Sequence, residues 1–197
     1  MSDITRRQAL SHLAAAFAAT AAIDYVFAQE AHAFVQQTAA RGPYTPTALS
    51  PQQFRTLERL TDLIIPVENG KPGAVQASVP AWIDSLLNVN IELKAKYVAG
   101  LAWLDTASKA AGATDFATAT PAQQTALLDQ IAFKKNASAA LDPGIEFFVL
   151  ARRMTVDGFY TSELGVRDIL PQGRPPMPKF IVPQESVDYV ISRSPFK

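Results

Sequence analysis

Few side chains in this sequence could carry chemistry, and the most suggestive are two carboxylates, Asp157 and Glu163. Two neighbouring carboxyl groups with different pKa values can act as general acid and general base. Such catalytic pairs must be buried before their pKa values shift, whereas carboxylates on a protein surface are common. We therefore prefer ordinary surface residues, and we keep a cofactor-free enzyme that uses Asp157 or Glu163 as an alternative.

Two further groups of residues have both a functional and a structural interpretation. Arg152 and Arg153 could contact an anion, but adjacent residues of a helix point in different directions, so we expect ordinary salt bridges. Trp82 and Trp103 are most simply core or half-buried aromatic residues. Because tryptophan is enriched at interface hot spots, either residue could also contact a partner, and Trp82 is our candidate for that role.

The composition excludes several classes of site. The 197 residues include 0 Cys and 2 His, which argues against disulfides, Cys-type zinc sites, iron–sulfur clusters, covalently attached c-type haem and cysteine nucleophiles. The 9 glycines form no dinucleotide-binding or P-loop pattern, so we expect no cofactor in this chain. Lys+Arg and Asp+Glu both total 18, and a formal net charge of +0 argues against binding to nucleic acid.

The amino terminus carries an export signal. Arg6 and Arg7 directly precede an apolar stretch, a pattern typical of twin-arginine signals, which direct the export of folded proteins. Small residues permit cleavage after Ala28 or after Ala33. We therefore expect residues 1–28 to be a signal peptide, the twin-arginine translocase to be a partner, and the mature chain to be periplasmic. An uncleaved membrane anchor is the alternative, but the apolar run is shorter than the ~18 residues that a span needs.

The rest of the chain indicates an all-α fold. Residues 29–49 are predicted to form an extended lead-in, because Gly42, Pro43 and Pro46 lie in their second half. In residues 50–165 the apolar side chains recur at helical spacing, with no sustained alternation of period two. Ser-Pro-Gln-Gln at 50–53 and Thr-Pro-Ala-Gln at 120–123 predict helix starts of the capping-box type. We expect a small bundle of about five helices packed on one core.

Glycine and proline mark further features of this bundle. Gly112 should end the long helix that begins at Ile91, and Gly100 inside that helix indicates close packing by a neighbour. Asp142 and Pro143 should start the next helix in the same style as the two capping boxes.

The carboxyl end differs in kind from the helical domain. Residues 171–197 hold six of the 14 prolines, which favour extended backbone and oppose a regular helix. Interleaved apolar residues such as Met177 and Phe180 make the segment too hydrophobic for a solvated tail. We therefore predict that residues 166–197 form a Pro-rich extended tail that lies on its own domain or on a partner.

The most unusual stretch lies near the end of the helical domain. Gly158 is predicted to end a helix, so that Phe159 and Tyr160 enter a loop. In one interpretation the two aromatic residues simply cover the helix end. In the other they bind a partner, because aromatic residues on a rigid turn supply contact area at low entropic cost. The complete candidate partner interface comprises Trp82, Gly158, Phe159, Tyr160, Thr161, Ser162, Met177 and Phe180.

Short motifs in the helical domain occur in a characteristic order. They are Leu-Ile-Ile-Pro at 63–66, Gly-Ala at 73–74, Trp-Ile-Asp-Ser-Leu-Leu at 82–87, Tyr97, Gly-Leu-Ala-Trp-Leu-Asp at 100–105, Pro-Ala-Gln-Gln at 121–124, Leu-Leu at 127–128 and the stretch 155–162. In this order the chain resembles the gluconate 2-dehydrogenase subunit 3 family, small subunits of bacterial flavin-dependent sugar and polyol dehydrogenases. After Ser162 the sequence departs from the family pattern.

The resemblance implies a non-catalytic subunit. In such complexes a large subunit of the glucose–methanol–choline oxidoreductase type binds FAD and oxidises the sugar, and a cytochrome c subunit often takes the electrons. The small subunit assists maturation, and its twin-arginine signal can carry the folded, FAD-loaded large subunit across the membrane, with which the complex could associate. A free-standing periplasmic helical binding module is the alternative, and a cofactor-free periplasmic enzyme is a further one.

Overall fold

The structure, a computed structural model, describes residues 31–33, 35, 44–169 and 184–193. These residues are mainly helical and contain no strand; an isolated bridge joins Glu68 and Lys71. The helices are α1 (Pro51–Ile64), α2 (Val79–Val89), α3 (Ile91–Ala110), α4 (Pro121–Ile131), α5 (Asp142–Thr161), α6 (Glu163–Ile169) and α7 (Gln184–Arg193). A short 3₁₀ helix follows α4 at Lys134–Asn136. The predicted all-α bundle is confirmed.

The starts of α1 and α4 confirm the capping-box predictions. At α1 the Ser50 hydroxyl accepts a hydrogen bond from the backbone N–H of Gln53, whose side chain accepts from the backbone N–H of Ser50. Thr120 and Gln123 form the same reciprocal pair at the start of α4. Gly112 has a φ of 84°, the left-handed conformation typical of a helix end, and it follows α3 as predicted.

Helix α5 begins at Asp142 as predicted, but its start does not have the style of the two capping boxes. Leu141, not Asp142, is the residue before the helix, and its side chain provides no cap. Asp142 is the first helical residue, and its carboxylate accepts from the backbone N–H of Ser138 at 3.0 Å. A negative charge in the first turn still stabilises the helix, because it lies near the positive end of the helix dipole.

Helix α5 packs against α1, α2, α3, α4 and α6 and is the central element of the bundle. It approaches α3 closely at Gly100, where a Cβ would lie 2.0 Å from Cγ of Phe147. The close packing predicted at Gly100 is therefore confirmed. Gly144 makes the reciprocal approach, since a Cβ there would lie 2.4 Å from the Trp103 ring. Each helix thus contributes one glycine and one aromatic residue to the contact.

The predicted extended lead-in contains helical backbone. Residues 31–33 and 35 are helical, whereas residues 44–50 have no regular secondary structure. Ala31, His32 and Val35 are buried. The prediction used the local pattern of Gly and Pro, which contains no information on tertiary packing. That packing stabilises this short helical segment.

The predicted extended tail also needs correction. The boundary at residue 165 falls inside α6, and α7 lies within the segment that was expected to be extended. Pro183 and Pro195 flank α7, and no proline occurs from 184 to 193. The prediction used the proline content of the whole segment, which does not apply to this proline-free stretch. Residues 170–183 lie outside the described residues, and Met177 and Phe180 are among them.

In the parts of the chain that the structure describes, no helix is both long enough and apolar enough to cross a bilayer. The predicted signal peptide, with Arg6 and Arg7, lies outside those parts. Its cleavage and its alternative role as an anchor therefore stay predictions.

Candidate partner-binding site

The candidate interface residues that the structure describes cluster where α2 meets α5, a region that we call the α2–α5 corner and define by Trp82, Gly158 and Thr161. Trp82 is fully buried, and a Cβ on Gly158 would lie 2.6 Å from Cε3 of its ring. Gly158 does not end the helix, because α5 continues to Thr161. The predicted helix stop is therefore wrong. The glycine allows α5 to approach the Trp82 ring, a tertiary requirement that the local sequence does not show.

Phe159 and Tyr160 lie in the last turn of α5, so the prediction that they enter a loop is also wrong. Phe159 is 0% exposed and Tyr160 is 8% exposed. Their rings meet edge to face, with centroids 5.0 Å apart. These two aromatic residues belong to the core of the bundle.

Ser162 forms the junction between α5 and α6. Its hydroxyl donates to the carbonyl oxygen of Phe159 at 2.6 Å and accepts from the backbone N–H of Gly165 at 3.1 Å. Gly165 lies directly against the end of α5, since a Cβ there would lie 1.9 Å from the Phe159 carbonyl oxygen. Ser162 therefore satisfies backbone groups at the end of one helix and the start of the next.

The amino-terminal segment covers the α2–α5 corner. The His32 ring stacks on the Trp82 ring, with centroids 5.4 Å apart and an interplanar angle of 16°. His32 Nε2 lies 2.9 Å from Oγ1 of Thr161. Burial lowers the pKa of His32 to about 4, and a hydrogen bond to the backbone of Gly158 opposes that shift. The imidazole is therefore neutral at pH 7.

Burial determines what the corner can offer a partner. Trp82, Phe159 and Tyr160 present little or no surface, whereas Thr161 is half-buried and Ala33 is exposed. A partner that docks here on the structure as it stands would meet the segment around His32 and the edge of α5, and not the Trp82 ring. The role of these residues in partner binding stays a prediction.

Asp157 and Glu163 have separate partners. Glu163 is exposed and pairs with Arg167 of the same helix. The Asp157 side chain is 13% exposed, and its Oδ2 lies 3.7 Å from Nε of Arg153, with no hydrogen-bond partner for Oδ2 among the described residues. Burial raises the pKa of Asp157, while Arg153 opposes the shift. Each carboxylate thus has its own arginine, which is the arrangement of salt bridges and not of an acid–base pair.

Tyr97 on α3 lies within electrostatic range of Asp157, a relationship between two helices that local sequence patterns do not show. Tyr97 is fully buried, and its hydroxyl has no hydrogen-bond partner among the described residues. Burial raises the pKa of Tyr97, and the negative charge of Asp157 raises it further. Two polar groups with incomplete hydrogen bonding are therefore buried between α3 and α5, which is uncommon in a folded core.

Arg152 and Arg153 make different contacts, as adjacent residues of a helix should. Arg153 forms the expected salt bridge, with Asp157. The Arg152 guanidinium lies 5.9 Å from the ring centroid of Phe148, within cation–π range.

Among the described residues, the carboxylate with the most hydrogen bonds is that of Asp84 on α2, which the sequence did not single out. It is 0% exposed and accepts from the backbone N–H groups of three consecutive residues, 47–49. The hydroxyls of Tyr44 and Thr47 donate to its Oδ2 at 2.8 and 3.1 Å. We call this arrangement the Asp84 clamp. In the sequence, Asp84 is an acidic residue inside an apolar helix. Such a residue is expected to have buried hydrogen-bond partners, but the sequence does not identify them.

An apolar groove of about 290 Å³ runs between α3 and α5, beside the contact of Gly100 with Phe147. Lys96 and Glu146 are its charged lining residues. Across the described parts of the chain, no three His, Cys, Asp or Glu side chains are grouped so as to hold a metal ion.

Comparisons with known proteins agree with the order of motifs. Neither the curated proteins nor the solved structures gave a match. A sequence model of gluconate 2-dehydrogenase subunit 3 matches residues 51–172, from the start of α1 to beyond the end of α6. The match continues past Ser162, so the expected departure from the family pattern begins later than predicted. Because it spans more than half of the sequence, this chain belongs to the gluconate 2-dehydrogenase subunit 3 family.

Proposed function

We propose that this protein is the non-catalytic small subunit of a periplasmic FAD-dependent sugar dehydrogenase, and that the catalytic subunit needs it for maturation and twin-arginine export. The observation that carries the proposal is family membership over residues 51–172. A family of dehydrogenase subunits acts within complexes, so the chemistry need not reside in this chain. We assign FAD to the large subunit, with a cytochrome c subunit as the electron acceptor.

The internal hydrogen bonds support a scaffold role. Besides the Asp84 clamp, Asp105 on α3 accepts from the backbone N–H of Phe116 at 3.1 Å. The buried Gln124 on α4 donates to the carbonyl oxygen of Phe116 and accepts from Nε of Arg59, both at 2.8 Å. These polar residues of the family motifs tie loops to helices. A bundle whose polar groups serve its own rigidity suits a subunit that binds and stabilises another protein.

The amino-terminal sequence supports the export part of the proposal. Arg6 and Arg7 have the spacing of a twin-arginine signal, and that route accepts folded proteins. A large subunit without its own signal could therefore fold, bind FAD, associate with this chain and cross the membrane as a complex. The folded bundle would provide the contact and the signal would provide the route.

Co-expression tests the proposal. The full chain carries a carboxyl-terminal affinity tag and is expressed with a glucose–methanol–choline type dehydrogenase subunit from the same organism, and the tagged protein is purified from the periplasm. We expect the large subunit to co-purify with bound flavin absorbance, and we expect periplasmic dehydrogenase activity to disappear when this chain is omitted. A single tagged chain without flavin, from cells with an active dehydrogenase, would refute the proposal and favour the free-standing binding module.

A further inference from the structure

We propose that the mature protein retains His32, because the fold blocks signal-peptide cleavage after Ala33. The sequence permits cleavage after Ala28 or after Ala33, and only the second would remove His32. The inference rests on the proposed export of this chain. It concerns the His32 segment, which we define as residues 31–33 and 35.

The His32 segment is packed as part of the domain. Ala31 is 9% exposed, His32 is 7% exposed and Val35 is 3% exposed, and all three are helical. Ala31 and Val35 join the same hydrophobic core cluster as Trp82. Ala33 is exposed but lies in the same helical backbone, whereas a linker that awaits cleavage would be extended.

His32 holds the segment through two specific contacts. Its ring stacks on Trp82, and its Nε2 lies 2.9 Å from Oγ1 of Thr161. The Thr161 hydroxyl already donates to the carbonyl oxygen of Asp157 at 2.7 Å, so its oxygen is available as an acceptor. An aromatic stack and a directed hydrogen bond therefore fix the segment to the last turn of α5.

Cleavage after Ala33 would require these contacts to open. A leader peptidase binds the residues that precede the cut bond in extended form, and those residues, 31–33, are helical and belong to the His32 segment. The rate of such cleavage follows the fraction of molecules in which the segment is open. Because the twin-arginine route exports folded proteins, the segment would be docked before it meets the peptidase. Cleavage after Ala28 leaves every His32 contact in place.

The first measurement is the intact mass of the exported chain. The full-length protein is produced in a bacterium with a functional twin-arginine translocase and isolated from the periplasm. We expect a mature chain that begins at Gln29, or upstream of it, and therefore retains His32. A mature chain that begins at Phe34 would overturn the inference. Failure to reach the periplasm would count against the proposed function, and the second measurement then decides the inference independently.

The second measurement uses thermolysin, which cuts before large apolar residues, on the purified full-length chain. The product that begins at Phe34 is quantified by mass spectrometry under native conditions. We expect its rate of formation to rise at least tenfold in His32→Ala, because the segment opens more often. His12→Ala is the matched control, since it removes the only other histidine, and its rate should equal that of the wild type. Equal rates for the wild type and His32→Ala would overturn the inference.

Discussion

The phenolic hydroxyl of Tyr44 donates a hydrogen bond of 2.8 Å to Oδ2 of Asp84, across 40 positions of the sequence. The backbone N–H of Thr47 approaches the same oxygen to 2.7 Å, and that of Leu49 lies 2.9 Å from Oδ1. Burial and the contact with Asp84 raise the pKa of Tyr44, so the phenol remains a donor at neutral pH. One carboxylate on α2 thus holds the chain just before α1.

Asp84→Asn should lower the free energy of unfolding by about 3 kcal/mol, because the amide group turns an N–H₂ towards buried backbone donors. Tyr44→Phe should lower it by only about 1 kcal/mol, because the carboxylate keeps its backbone partners. Urea denaturation followed by tryptophan fluorescence measures both values. Equal losses in the two variants would mean that the backbone donors contribute little to the Asp84 clamp.

Gly158→Ala should destabilise the protein by about 1–3 kcal/mol, because the new methyl group would overlap the Trp82 ring. On an open helix face the same substitution would stabilise by about 1 kcal/mol through helix propensity. The sign of the change is therefore the test. A raised midpoint of thermal unfolding would show that the contact between α2 and α5 has space for the added methyl group.

The stability of the protein should fall as pH falls from 6.5 to about 4, because His32 has an ordinary pKa of 6.5 when unfolded and a pKa of about 4 when folded. In that window the unfolded chain binds a proton that the folded chain excludes. The full loss would be about 3 kcal/mol, unless the His32 segment detaches first at a smaller cost. Urea midpoints at several pH values measure the slope.

His32→Gln provides the comparison for this pH dependence, because glutamine keeps a polar side chain but does not titrate. The variant should show a shallower fall of stability between pH 6.5 and 4 than the wild type does. Parallel curves for the two proteins would assign the slope to other groups.

Asp157→Asn should raise the free energy of unfolding at pH 7 by about 1 kcal/mol, because a buried charge with incomplete hydrogen bonding is removed. The raised pKa of Asp157 means that its ionisation opposes folding, and this cost appears only as pH rises above the ordinary carboxyl range. The difference between variant and wild type should therefore vanish below about pH 4. A loss of stability at pH 7 would show that the contact with Arg153 outweighs the cost of burial.

Arg6→Lys combined with Arg7→Lys should retain both this chain and the large subunit in the cytoplasm, because the twin-arginine route depends on the arginine pair. Immunoblots of periplasmic and cytoplasmic fractions measure the distribution. Arg152→Lys combined with Arg153→Lys is the matched control, since it makes the same exchange at the other adjacent arginine pair. Continued export of the large subunit with the first variant would refute the escort role.

Most features that the sequence predicted correctly are local; the close packing at Gly100 is an exception, because a glycine inside a helix indicates a close neighbour without identifying it. Ser50 with Gln53 and Thr120 with Gln123 complete their hydrogen bonds within one helical turn, so the pattern contains both partners. The end of α3 at Gly112 is local in the same sense, because the left-handed conformation belongs to one residue. Such features do not depend on how the bundle is assembled.

The features that the sequence could not predict depend on distant partners. Gly158 has the local appearance of a helix end, and only the position of Trp82 shows that it serves helix packing. Asp84 has the appearance of an ordinary polar residue until residues 44–49 approach it. In both cases the residue type is informative but its reason is tertiary. The candidate interface residues that the structure describes adjoin one another, but their burial was not foreseen, and their role in partner binding stays a prediction.

The contact between His32 and Thr161 joins residues that are 129 positions apart. During synthesis the amino end leaves the ribosome first, whereas Thr161 emerges only after the rest of α5. The segment at the amino end therefore cannot be secured until all five helices of the main bundle have been made. In a truncated or partly folded chain the contact with Thr161 is not formed. Whether the amino-terminal segment is docked therefore indicates whether the domain has folded completely.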